Sequence, residues 1–217
     1  MPIQRFVVGP MANNSYALYD STSQEVAVVD PGMGSEVVYD WIIEKQLQLK
    51  YVLNTHGHAD HIFNNAFFAK EHDGVLGIHF SDMELLNQLE SNGGWMGANP
   101  KPSPSPTVDL VDDLSLNLGD QKISIISTPG HTPGSTCFIF ENSVLTGDTL
   151  FQGSIGRFDF PGGSLSDIVE SIKGKLFSLD SDTIVLPGHN ETTTIDEEQK
   201  NNPFVGVNSQ IDLSTLG

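Results

Sequence analysis

The segment His56-Gly57-His58-Ala59-Asp60-His61 sets three imidazoles and a carboxylate within six residues. The whole chain has only seven histidines. Burying an imidazole costs free energy unless both ring nitrogens find partners, so packing alone does not gather three of them. A metal ion is the simplest partner common to all three. The segment is therefore read as the floor of a metal site, and any fold for this chain has to bring further ligands to it.

Three later segments share one grammar, a strand end followed by a glycine turn that carries a ligand-type side chain. Thr128-Pro129-Gly130-His131 presents His131, Thr146-Gly147-Asp148 presents Asp148, and Leu186-Pro187-Gly188-His189 presents His189. Glycine lets the backbone turn sharply, so that a short side chain can point at a shared centre. The candidate metal ligands are then His56, His58, Asp60, His61, His131, Asp148 and His189. Seven are too many for one ion of zinc type, which takes about four ligands. They fit two ions, with a shared aspartate and water completing the shells at a separation of roughly 3.5–4 Å. Nitrogen and oxygen donors suit zinc first, with iron or manganese also open. His72 and His79 lack the glycine-turn context and are expected to be structural. Cys137, between Thr136 and Phe138 on a strand, is expected to be a small core residue.

The surrounding pattern is one of short strands and helices. Strands are expected at 6–8, 15–19, 25–29, 49–53, 75–78, 122–127, 135–141, 143–146 and 183–186, with turns at Gly and Pro between them. Helices are expected at 35–46, directly after His61, at 83–89, at 164–177 and at 194–201. Ser164 followed by Asp167 marks the start of the helix at 164–177, with Leu165, Ile168, Val169, Ile172 and Leu176 on one stripe. Residues 91–107 break the pattern with glycines and alternating prolines, which favour an extended course. Ligands stand on both sides of this stretch, so it reads as a surface loop within a single domain spanning 1–217. Its Trp95 and Met96 are expected to cover the site, meet a second subunit, or simply anchor the loop. The tail from Pro203 is weakly patterned.

Composition excludes several functions. With ten Lys+Arg against 28 Asp+Glu the formal net charge is −18, which repels nucleic-acid backbones and anionic membranes. There is no apolar run of the ~18 residues a membrane span needs and no pattern of a signal peptide. The single cysteine suits a reducing compartment, so a cytoplasmic location is expected. Only two arginines are present, Arg5 and Arg157.

The order His56-x-His58-x-Asp60-His61, His131, Asp148, His189 resembles the metallo-β-lactamase superfamily. Within it, Gly147-Asp148-Thr149-Leu150-Phe151, Gly156-Arg157-Phe158-Asp159-Phe160-Pro161-Gly162-Gly163 and Pro187-Gly188-His189-Asn190 resemble the short bacterial glyoxalase II (hydroxyacylglutathione hydrolase) group. The resemblance implies an α/β fold, a four-layer αββα sandwich with the metal site at one edge. It assigns His56, His58 and His131 to a first metal, Asp60, His61 and His189 to a second, and Asp148 to both. It also implies hydrolysis of a small-molecule thioester such as S-D-lactoylglutathione by a hydroxide shared between two divalent ions, zinc above all. Asp60 would orient that hydroxide, and Arg157 would bind a substrate carboxylate. Persulfide dioxygenases, with one iron and oxygen chemistry, and lactonases are the alternatives within the superfamily. The chain departs from the glyoxalase pattern at Asn64, where glycine is common, and the residues after His189 are too few for the helical substrate domain of the longer members. Homo-oligomerisation is compatible with this reading.

Overall fold

Strand alternation decides the layers. In the strand Glu25–Val29, Val26 and Val28 face one way while Ala27 and Val29 face the other, and in the strand Ser143–Gly147 Val144 and Leu145 divide in the same manner. Each strand is buried on both faces, so each sheet must be covered twice. The computed structural model describes residues 1–209; the end of the weakly patterned tail, 210–217, lies outside the described residues.

The first sheet runs β1 (Ile3–Val8), β2 (Asn13–Tyr19), β3 (Glu25–Val29), β4 (Gln48–Leu53), β5 (Val75–Ile78) and β6 (Val108–Asp109), in that spatial order. Its first three strands pair antiparallel and the rest parallel. Helix α1 (Glu36–Glu44) makes the crossover from β3 to β4 and buries Val38 and Ile42 against Val26, Val28, Val52 and Phe68. Short helices α2 (Ala59–Ile62), α3 (Met83–Asn87) and α4 (Leu89–Asn92) follow β4 and β5.

The second sheet contains β7 (Ser115–Leu118), β8 (Gln121–Ser127), β9 (Thr136–Phe140) and β10 (Ser143–Gly147). A ribbon of β11 (Leu150–Phe151) and β12 (Ser154–Ile155) precedes α5 (Leu165–Glu170). Then β13 (Ile184–Pro187) and β14 (Thr193–Thr194) complete the sheet in the order β14-β13-β10-β9-β8-β7, and α6 (Ile195–Asn201) ends the regular structure. A central core with Tyr16, Leu18, Leu53, Leu118, Ile123, Phe138 and Leu145 lies between the sheets. A third core packs Ile168, Ile172, Leu176 and Ile195 on the far face of the second sheet. The order helix, sheet, sheet, helix is the expected αββα sandwich. No helix among the described residues is long and apolar enough to cross a membrane.

Three helices differ from the expected pattern. The one expected at 83–89 is two, α3 and α4, divided at Gln88, the second running on to Asn92. The segment expected as one helix over 164–177 is three pieces, α5, a π-turn at Ser171–Lys175 and a 3-10 turn at Leu176–Ser178. Ser164 does cap its start, accepting from the Asp167 amide at 3.3 Å. The ladder widens where the Ser171 hydroxyl donates out to the Pro129 carbonyl at 2.8 Å and Gly174 weakens helix propensity. After His61, α2 ends at Ile62 and a π-turn covers Ala66–Lys70. That wider turn puts Phe68 in the core and leaves Phe67 at its edge, where an uninterrupted 3.6-residue period faces Phe67 inward. The 91–107 stretch is tied down where Asn65 donates to the Ser103 hydroxyl at 3.1 Å. Within it Met96 is buried and Trp95 is exposed.

Candidate metal centre

All four ligand-bearing loops leave strand ends at one edge of the sandwich. His56 follows β4, His131 follows β8, Asp148 follows β10 and His189 follows β13. Because β10 and β13 are parallel with Gly147 opposite Pro187, Asp148 and His189 emerge side by side. The two sheets are stitched together here. The Thr136 amide donates to the Thr55 carbonyl at 2.8 Å, and the Asn14 amide to the Gly188 carbonyl at 2.7 Å.

The seven sequence-selected ligands converge. Ligand atoms fall within 4.8 Å of one another in three overlapping groups: His56, His58 and His131; His56, His61 and Asp148; and Asp60, His61 and His189. One oxygen of Asp148 lies 3.4 Å from His61 Nε2, and the other lies 3.6 Å from His131 Nε2 and 3.7 Å from His189 Nε2. Asp148 thus stands between the outer groups. Asp60 lies 3.2 Å from His189 Nε2 and 3.5 Å from His61 Nε2. His72 stacks on Tyr39 at 3.8 Å, and His79 accepts the Ser81 amide at 3.2 Å, both away from the cluster. Cys137 is fully buried, and burial pushes its thiol up to about 12.

The rear nitrogens reveal the charge the cluster wants. His131 Nδ1 is 2.6 Å from the Arg157 carbonyl and His189 Nδ1 is 3.1 Å from the Met11 carbonyl. A carbonyl only accepts, so each Nδ1 carries the proton and each Nε2 offers a lone pair to the centre. His61 Nδ1 donates in the same way to the Asp30 carboxylate at 3.0 Å. His61 Nε2 then faces His189 Nε2 at 3.3 Å, and His58 Nδ1 faces His131 Nε2 at 2.9 Å. Two imidazole nitrogens this close need a proton or a metal cation between them. His56 Nε2 and Asp148 Oδ1 are buried with no hydrogen-bond partner among the described residues. Burial and the neighbouring imidazoles hold His56 far below its ordinary range, and the same causes lower His58 to about 4. Burial opposes protonation of His61 too, but Asp148, Asp60 and Asp30 outweigh it and raise its imidazole to about 10. These donors fit divalent cations.

Two buried carboxylates missed from the sequence build this arrangement. Asp30 sits in the left-handed region at φ 51° and accepts from the Thr55 amide and hydroxyl, both at 2.7 Å, besides His61. An aspartate held there is strained and needs its surroundings to keep it. Asp82 accepts from the Gly57 amide at 2.8 Å, the Gly134 amide at 2.7 Å and the Thr132 hydroxyl at 2.7 Å. It therefore joins the loop of His56 and His58 to the loop of His131. The only local signal for Asp30 is its place at a strand end before Pro31-Gly32; Asp82 has none. Gly188 is also required, since a Cβ there would strike Asp148 Oδ1 and come within 2.8 Å of His61 Cε1.

The centre floors a cavity of about 720 Å³. Arg157 lines it, but its Nε and Nη2 are both engaged by Asp159 at 2.9 and 2.8 Å.

A family model described as the metallo-β-lactamase superfamily matches residues 8–189. The chain belongs to the metallo-β-lactamase superfamily. It is 35% identical to the hydroxyacylglutathione hydrolase GloC of Haemophilus influenzae, over 96% of this chain and 100% of that one. Among solved structures it is similar to the B3 metallo-β-lactamase BLEG-1, with a TM-score of 0.86 and 32% identity, covering 94% of this chain and 99% of that one. It is also similar to TTHA1623 in a di-iron-bound form, with a TM-score of 0.84 and 29% identity, covering 93% and 99% of the two chains. Members of this superfamily are hydrolytic metalloenzymes that hold divalent metals in a His/Asp cluster.

Proposed function

We propose that this chain is a metal-dependent thioester hydrolase of the glyoxalase II type, cleaving S-2-hydroxyacylglutathione to a 2-hydroxy acid and free thiol. The observation that carries the reading is the seven-ligand cluster, with Asp148 shared between its halves, at the floor of an open cavity. The full-length likeness to GloC of Haemophilus influenzae supports the substrate class. His56, His58 and His131 would hold one divalent ion, Asp60, His61 and His189 the other, and Asp148 both. Zinc is the first choice for these donors, and the di-iron form of TTHA1623 makes iron the next. Two bound cations would supply a hydroxide nucleophile near neutral pH and Lewis-acid stabilisation of the oxyanion.

The chain's own residues do the positioning. Asp30, the Arg157 carbonyl and the Met11 carbonyl orient His61, His131 and His189 from behind. Asp60, partly buried beside His189, would orient the nucleophile. Thiolate is a good leaving group, so a strong general acid is not required.

The test is a metal count on purified protein followed by assay on S-D-lactoylglutathione, with an oxygen electrode in parallel. Two metals per chain and thioester cleavage without oxygen uptake are expected. Oxygen uptake on glutathione persulfide with one iron per chain would establish the dioxygenase reaction instead. Hydrolysis of a β-lactam without thioester cleavage would give the chain the activity for which BLEG-1 is named.

A further inference from the structure

Large apolar side chains exposed singly on a protein surface need no explanation, but several converging on one cavity do. Trp95 is 62% exposed, Met11 48% and Phe160 39%, and all three line the cavity above the metal centre. Leu85, Phe151 and Ile155 continue the same wall. These residues come from the β1–β2 turn, α3, the glycine-rich loop and the segment after β10, so the apolar wall is assembled by the fold from distant parts of the chain.

Among the described residues, Arg157 is the sole Lys or Arg lining this cavity. Its fork grips Asp159 with two near-parallel hydrogen bonds, and its guanidinium carbon lies 4.1 Å from the centroid of Phe160. That geometry is the one in which arginine best satisfies a carboxylate. A second carboxylate from a substrate has to displace Asp159 or meet its charge. The chain as a whole, at −18, adds long-range repulsion. Glutathione brings two carboxylates and one ammonium to such a site.

We propose that, within the thioester class, the cavity binds more tightly those whose bulky group is apolar and uncharged, held against Met11, Trp95 and Phe160, because Asp159 occupies the fork of Arg157 and competes with a substrate carboxylate. This rests on the thioester reading above and narrows its substrate class. Chemically the reaction is unchanged: water adds its oxygen to the acyl carbon, the C–S bond breaks, and the thiol leaves with the proton balance of simple hydrolysis.

The experiment compares S-D-lactoylglutathione with its diethyl ester, in which both carboxylates are capped and the reacting group is identical. The diester is expected to show a KM lower by about fivefold or more, with kcat little changed, as electrostatic repulsion is removed. An equal or higher KM for the diester overturns the proposal. Trp95→Ala is expected to raise KM for the diester about tenfold while metal content and kcat hold, the loss expected from one aromatic contact. A fall in kcat or metal content with KM unchanged would make Trp95 a structural residue and overturn its role. Asp159→Asn is expected to lower KM for the free-acid substrate and leave the diester alone; no change for either overturns the competition at Arg157. If neither thioester is cleaved, the hydrolase reading fails, and binding decides the pocket separately. Tryptophan fluorescence titrated with S-hexylglutathione and its diethyl ester then supports the proposal if the diester binds more tightly and overturns it if it does not.

Discussion

The floor and the wall of the cavity are built on opposite plans. On the floor three of the five imidazoles are fixed from behind: His61 by Asp30, His131 by the Arg157 carbonyl and His189 by the Met11 carbonyl. The wall is made of exposed apolar side chains, and its arginine is paired to a neighbour two residues away. A metal centre tolerates little displacement, because ligand direction sets both affinity and the reactivity of what is bound. Apolar contact is non-directional and tolerates substitution. The floor therefore governs whether chemistry occurs, and the wall governs on what.

Perturbations ordered by size should keep these two roles apart. The largest effect belongs to Asp148→Ala, which removes the carboxylate standing between the ligand groups. Metal content and activity should fall together, with kcat/KM down by more than about 10³. Elemental analysis beside a thioester assay checks this, and full activity at full metal occupancy would refute the shared ligand. Next comes Gly188→Ala, whose methyl group must push on Asp148 and His61. Catalysis should drop on the order of 10²-fold, as for a displacement near 1 Å, with the circular dichroism spectrum retained. A variant of native activity would mean that the floor is softer than its hydrogen bonds imply.

Asp82→Asn leaves one acceptor where Gly57, Gly134 and Thr132 now have two oxygens. Metal affinity should weaken about 10–100-fold, the usual range for partners behind a ligand. A chelator competition titration reads this, and the tighter-held ion should be the one remote from His58 and His131. Unaltered affinity would show that the two loops keep their spacing without Asp82. The smallest effect is expected at Cys137, behind the floor, whose buried thiol is pushed up to about 12. Native protein should not react with a thiol reagent at pH 8, and should react fully once unfolded. Rapid labelling of the folded chain would place that region among its easily opened parts.

The fold was legible where side-chain periodicity is local. The strands around Val26–Val29 and Val144–Leu145 and the Ser164 cap follow from alternation and capping chemistry. The π-turns at Ala66–Lys70 and Ser171–Lys175 were not, because each shifts the register by about one residue. Packing, not local preference, decides that Phe68 enters the core.

The candidate ligand set was written in the chain itself. Three histidines around Asp60, and His131, Asp148 and His189 after glycine turns, are identifiable because metal chemistry restricts the residue types and sharp turns restrict their neighbours. What stood behind those ligands depended on the folded molecule. Asp30 reaches a histidine 31 residues away and Asp82 an amide 52 residues away. A buried carboxylate has no sequence signature until stacked sheets place donors around it. The state of Arg157 was decided in the same way. Its fork reads as an anion receptor in the sequence, and only the folded molecule shows it turned onto Asp159 and over Phe160.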